Sequence, residues 1–307
     1  MTVRDCGTLS STHWVDPHIH LFALDNGKYH WLKPNNPPFW PDKPDIAKQY
    51  EEAGLIRASQ GALRGFVHIE AGFDNERPWR EVEFLHRHCA TPFSSVACID
   101  LCANTARQHI DKLVRYNKVV GARHILDDSA ASILQSPKAR HSLKHLADNA
   151  LSFDAQFDVS DLKSVSALLR VIEMNPSLNV IVNHAAIAPF DTASKTFQNW
   201  RQHVSALSET GQVAFKFSGL EMQDRTWCWQ RANSIFSTLI DLTLGRNVMF
   251  ASNYPLSLWR FSYSELWDGF KRMSLRYDTP LQNAWLSDNA CKWYRLNDDF
   301  ALQSKKG

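Results

Sequence analysis

Long apolar runs are missing from this 307-residue chain. No stretch approaches the roughly 18 residues that a transmembrane helix needs. The opening MTVRDCGTLSSTHW carries no apolar core of a secretory signal, so a cytoplasmic protein is expected, with no membrane partner. An excess of either charge is missing too. Lys plus Arg number 34 against 32 for Asp plus Glu, a formal +2. That balance indicates neither a nucleic-acid-binding surface nor an acidic tail. Cysteine is sparse, six residues at 6, 89, 98, 102, 228 and 291, and no two have CxxC spacing. A disulfide scaffold and a zinc-finger cluster are thereby disfavoured, leaving reduced, mostly buried thiols.

Apolar residues make up 44% of the chain and charged residues 21%, a globular composition. The pattern within it is an alternation. Short β-rich runs occur at 14–22, 65–72, 94–101, 119–126, 151–158, 179–186, 213–220 and 247–255, about every 33 residues. Helical stretches lie between them. RPWREVEFLHRHC follows a charged turn, and TARQHIDKLVRYN puts Ile110, Leu113 and Val114 on one face. DLKSVSALLRVIEMN opens on Asp161 as an N-cap, and RANSIFSTLIDLTLG ends at a Gly245 suited to C′. Parallel strands need crossover connections, so eight strands alternating with helices predict a parallel sheet. Eight such units close a (β/α)8 TIM barrel, here one domain over 1–307. An open dinucleotide-binding sheet would put a glycine-rich turn after the first strand, where this chain continues HLFALDNGKYHW. Segment 23–64 reads as an elaborated loop after strand one, with no helix or strand through NNPPFWPDKP. Its Tyr29, Trp31, Phe39 and Trp40 either wall a pocket or pack the loop down.

Barrel chemistry sits at the C-terminal strand ends, which turns strand positions into site candidates. In the first run Asp16, His18 and His20 share parity, opposite to Val15 and Ile19. Two histidines at i and i+2 can reach one metal ion or one water. The sixth run closes on His184 and the eighth on Asn253, Tyr254 and Pro255. Run two offers His68 and Glu70, and run four offers Arg123 and His124. Run five offers Asp154, Gln156 and Asp158, and run seven Lys216. Each of these taken alone is more readily structural than functional.

DPHIHLF, VNHAA and MFASNYP, in that order, resemble the amidohydrolase superfamily. The likeness is nearest to its amidohydrolase-related branch, which includes sugar lactonases and 2-pyrone-4,6-dicarboxylate lactonase. GARH at 121–124, KFSGL at 216–220 and NACKWYRL at 289–296 extend it across nearly the whole chain. The resemblance implies a distorted barrel whose site holds His18, His20, His184 and the residue at 253. It gives Arg123 the role of holding a substrate carboxylate or carbonyl oxygen. Many members of the superfamily bind one or two divalent metals, and some lactonases of this branch bind none. Here a single zinc on His18, His20 and His184, with Glu70 as a further ligand, is the candidate cofactor.

The chain departs from the pattern at Asn253, where hydrolytic members usually carry aspartate. A neutral amide cannot take a proton from water, so Asn253→Asp is expected to raise activity if that side chain touches the water. The expected function is hydrolysis of a lactone or small polar ester. Water would lie between His20, His184 and Asn253, while Glu70, Arg123, His124, Gln156, Lys216 and Tyr254 bind a small-molecule substrate. The alternatives are a metal-dependent decarboxylase of the same superfamily and a non-catalytic ligand-binding barrel. A homo-oligomer is compatible with the sequence but not specified by it.

Overall fold

The computed structural model describes residues 13–300; Cys6 lies outside that range. Eight parallel strands follow one another in spatial order β1 to β8. They are β1 (Trp14–Ile19), β2 (Leu63–Ile69), β3 (Phe93–Cys98), β4 (Val119–Ile125), β5 (Ser152–Gln156), β6 (Val180–Val182), β7 (Val213–Phe217) and β8 (Val248–Phe250). Helices cross over between them, and the chain forms a single-domain, nearly closed (β/α)8 barrel. Among the described residues no helix is long and apolar enough to cross a membrane.

Local chemistry explains the element ends. Asp161 accepts hydrogen bonds from the amides of Lys163 and Ser164 and so starts the helix Leu162–Met174. Gly245, at φ +67°, follows the helix Trp229–Thr243 in the left-handed conformation that glycine tolerates best. The helices Pro137–Asp148 and Lys195–Glu209 fill crossovers for which the sequence names no helix, and Tyr263–Ser274 follows β8. A short helix, Lys43–Ile46, begins inside NNPPFWPDKP, contrary to expectation. Pro44 sits in its first turn, where a missing N–H costs nothing. The five described cysteines are free and only partly buried, rather than mostly buried as expected.

Two apolar layers hold the barrel. Val15, Val67, Ile69, Val96, Ile181, Ala214 and Met249 fill the bore, with Trp293, Tyr294 and Phe300 packed against them. A larger layer, including Phe66, Phe153, Phe215, Trp200 and Trp267, lies between sheet and helices. Each such fully buried large side chain contributes about 1.5–3 kcal/mol.

The first strand is irregular. Its ladder to β2 pairs Asp16 with Phe66 and Ile19 with His68, three steps against two. Pro17, which has no amide hydrogen to give, lies in that bulge. The extra residue undoes the simple alternation. Asp16 turns outward to the Tyr263 hydroxyl at 3.0 Å, while His18 and His20 turn into the bore. The expectation that all three share a face is therefore corrected. The seam between β8 and β1 is closed just beyond β8, by Asn253 N–H to His18 O at 2.9 Å and His20 N–H to Tyr254 O at 2.7 Å.

Candidate active site

That seam brings the two ends of the chain's signature together. His18 Nε2 and His20 Nε2 lie 3.2 Å apart, and the His18 ring centroid is 4.9 Å from that of His184. The proton positions follow from the partners. His20 Nδ1 donates to the Ile69 carbonyl at 2.8 Å, leaving its Nε2 an acceptor. The Lys216 ammonium, which only donates, lies 3.3 Å from His18 Nδ1. His18 therefore carries its hydrogen on Nε2 and gives it to His20. Burial, assisted by Lys216, holds His18 well below the usual histidine pKa. Burial, assisted by Arg123, does the same for His20. His184 is lowered to about 3, chiefly by burial and then by Arg123 and Lys216. All three imidazoles are neutral at pH 7.

His184 is placed by strained backbone. His184, Ala185, Ala186 and Ile187 have φ of 58°, 50°, 57° and 54°, left-handed values that cost a non-glycine residue about 1–2 kcal/mol each. This turn consumes the end of the sixth run, which is why β6 is only three residues long. Ala185 O accepts the Trp200 indole N–H at 3.1 Å and helps hold the turn. The ring rests on Gly219, itself at φ +67°, where any Cβ would collide with it. Ser218 Oγ lies 3.2 Å from His184 Nδ1.

Two cations flank the imidazoles. Arg123 pairs with Glu70 Oε1 at 2.8 Å, donates to Glu70 O at 2.9 Å, and reaches Gln156 Oε1 only at 3.4 Å. Lys216 is fully enclosed, 2.6 Å from Asp154 Oδ2, and the Tyr294 hydroxyl donates to the same carboxylate at 2.8 Å. Its ammonium is spent on Asp154 and His18, so it is not placed to meet substrate as the sequence suggested. His124 and Tyr254 are not brought to the imidazoles either. His124 Nδ1 accepts the Leu101 amide. The Tyr254 ring packs edge-on against Tyr50 and Tyr263, and only its backbone carbonyl touches His20. On the rim, Tyr29 is buried, and the Trp31 indole donates to Ala71 O at 2.7 Å. Phe39 is 71% exposed. The aromatics of 23–64 mainly pack the loop down.

The sequence reading missed Glu221. It follows β7, one residue past KFSGL, and its Oε1 accepts from Asn253 Nδ2 at 2.7 Å. Burial raises its carboxyl to about 7. Its position just beyond the C-terminal end of a barrel strand was the available signal.

Zinc sets a demand that this donor set meets only in part. Two nitrogens on a tetrahedral zinc lie about 3.3–3.4 Å apart for bonds of about 2.0–2.1 Å, so His18 and His20 have a suitable separation. The rest of the set does not fit. Glu70 is committed to Arg123, and two cations border the site. Among the described residues no group of three or more His, Cys, Asp or Glu is arranged to hold a metal ion.

A family model described as amidohydrolase matches residues 15–296. The uncharacterized protein y4mH of Sinorhizobium fredii is 28% identical over 297 residues, covering 92% of this chain and 98% of that protein. Among solved structures, an amidohydrolase from Burkholderia multivorans with bound zinc has a TM-score of 0.79 at 18% identity, covering 93% and 100% of the two chains. A probable 2-pyrone-4,6-dicarboxylic acid hydrolase from Acinetobacter baumannii, with citric acid bound, has a TM-score of 0.68 at 13% identity, covering 92% and 100%. At those identities the structural likeness is one of fold.

Proposed function

The chain belongs to the amidohydrolase family, and from that premise we propose that it hydrolyses a lactone or other small polar ester bearing a carboxylate. The observation that carries this reading is the meeting of three neutral imidazoles from β1 and the β6 end, with an arginine beside them that retains donors to offer. In this reading the attacking water lies between His184 and Asn253. In the tautomer whose Nδ1 donates to Ser218 Oγ, His184 offers Nε2 to the water proton. Glu70 is tied to Arg123 and does not serve as the base. Arg123 has five N–H donors in a planar fork, enough to keep Glu70 and still hold the substrate carboxylate or the developing oxyanion. A base of such low pKa is a weak one, which suits a reactive lactone and hardly an amide. The 2-pyrone-4,6-dicarboxylic acid hydrolase named above supports the substrate class.

A panel of lactones followed with a pH indicator tests the reading. Turnover of a carboxylated lactone is expected, and His184→Asn should lower it by about 10²–10⁴-fold, the usual worth of a general base. Unchanged turnover in that variant would remove His184 from the chemistry. Release of CO₂ from carboxylated aromatics, with no lactone hydrolysed, would replace the reading with a decarboxylase.

A further inference from the structure

The neutral residue at 253 stands next to a carboxylate supplied from elsewhere. Asn253 is fully buried, at φ 59°, a conformation that Asn and Asp both tolerate; the backbone therefore does not dictate the amide. Glu221 does. Its Oε1 lies 2.7 Å from Asn253 Nδ2, and two carboxylates at that separation could not both ionise. Glu221 is itself held in place. Arg225 donates to the Glu221 backbone carbonyl and pairs with Asp42 of the rim loop at 2.6 Å. The Trp227 indole N–H has no protein partner among the described residues. Trp227 lines, together with Glu221 and Ser252, a cavity of about 10 Å³ between the ends of β7 and β8 and the helix Tyr263–Ser274, close to the room one water needs.

We propose that Glu221 is a positioning residue: by accepting from Nδ2 it fixes the Asn253 carboxamide with Oδ1 turned away from the carboxylate and free for the water, so that 221 and 253 act as one unit. The pair carries its negative charge on the β7 side and presents a neutral acceptor to the water. This rests on the hydrolytic reading of the site for its function, but not for its geometry. It also reverses the sequence-based expectation for Asn253→Asp, since an aspartate there must share a proton with Glu221.

The test is a cycle of Asn253→Asp, Glu221→Gln and the double variant, in the full-length protein. Thermal midpoints are measured at pH 8, and kcat and KM on the lactone the parent protein hydrolyses fastest. Asn253→Asp should lower the midpoint by about 3 °C or more and kcat by at least about tenfold. Glu221→Gln, whose amide no longer dictates which way Asn253 faces, should lower kcat by about three- to tenfold with KM little changed. In the double variant the new amide at 221 donates to the new carboxylate at 253, so the midpoint should recover, and kcat should return above either single variant. A purely structural glutamate would give no such rescue of kcat. Additive midpoint shifts, or Asn253→Asp alone raising kcat with no further gain in the double variant, would overturn the proposal. If the midpoints couple as expected and no lactone is hydrolysed by the parent protein, the pair stands and the hydrolase reading fails.

Discussion

Two buried ion pairs border the imidazoles, and they differ in what they leave free. Lys216–Asp154 is wholly enclosed, both side chains 0% exposed; the ammonium meets Asp154 and His18, and the Tyr294 hydroxyl closes off the carboxylate. Arg123–Glu70 lies nearer the rim, 6% and 7% exposed, and its third contact, to Gln156, is long. The inner pair orders hydrogens: it gives His18 the tautomer whose Nε2 hydrogen meets the acceptor that the Ile69 carbonyl makes of His20. The outer pair keeps donors for a ligand. Chemically similar pairs thus serve opposite ends because one is sealed off and the other is not.

Removing the inner cation should produce the largest change in stability. Lys216→Ala leaves the Asp154 charge buried and uncompensated, a loss of about 3–5 kcal/mol, read as a lowered midpoint in chemical denaturation. Lys216→Met combined with Asp154→Asn should recover most of it; no recovery would mean that packing, not charge, holds this floor. Arg123→Ala breaks the outer pair. The expected loss is about 1.5–3 kcal/mol of binding to an anionic substrate, seen as a rise in KM for carboxylated lactones and a much smaller one for neutral lactones. Equal losses for both would place Arg123 on the oxyanion instead.

A pH dependence also separates the two cations. Burial lowers the Lys216 pKa to about 8, against the opposing pull of Asp154. With a folded value below the unfolded 10.5, the unfolded chain holds more protons between about 8 and 10.5. In that window this group's contribution to stability rises with pH, and it is lost again as pH falls through 8. Subtracting the thermal midpoints of Lys216→Met from those of the parent protein should reveal that rise. The same subtraction with Arg123→Met should vary much less, because arginine stays charged throughout and only its minor push on Lys216 is lost.

Much of this was legible before any coordinates. The eight strands, the barrel and the Asp161 cap rest on local signals of period and capping, and such signals survive in the bare string of residues. The candidate site was legible as an order of motifs, and that order does bring His18, His20 and His184 together. Strand lengths were overread where apolar residues continue past the ladder, as at Ala185 and Ala186, whose left-handed backbone no composition announces. Parity failed at Asp16 because a proline bulge inserts one unpaired residue. His124 and Tyr254 failed because a strand's end names a residue without naming the side to which it turns.

The amino-acid string alone determined the alternating architecture, the histidines and the missing aspartate at 253, since each is written in consecutive residues. Only the closed barrel decided that Lys216 orients His18 and that Glu221 stands beside Asn253. Those partners lie 198 and 32 residues apart. Their meeting depends on the bulge, the register of eight strands and the seam that joins the last to the first.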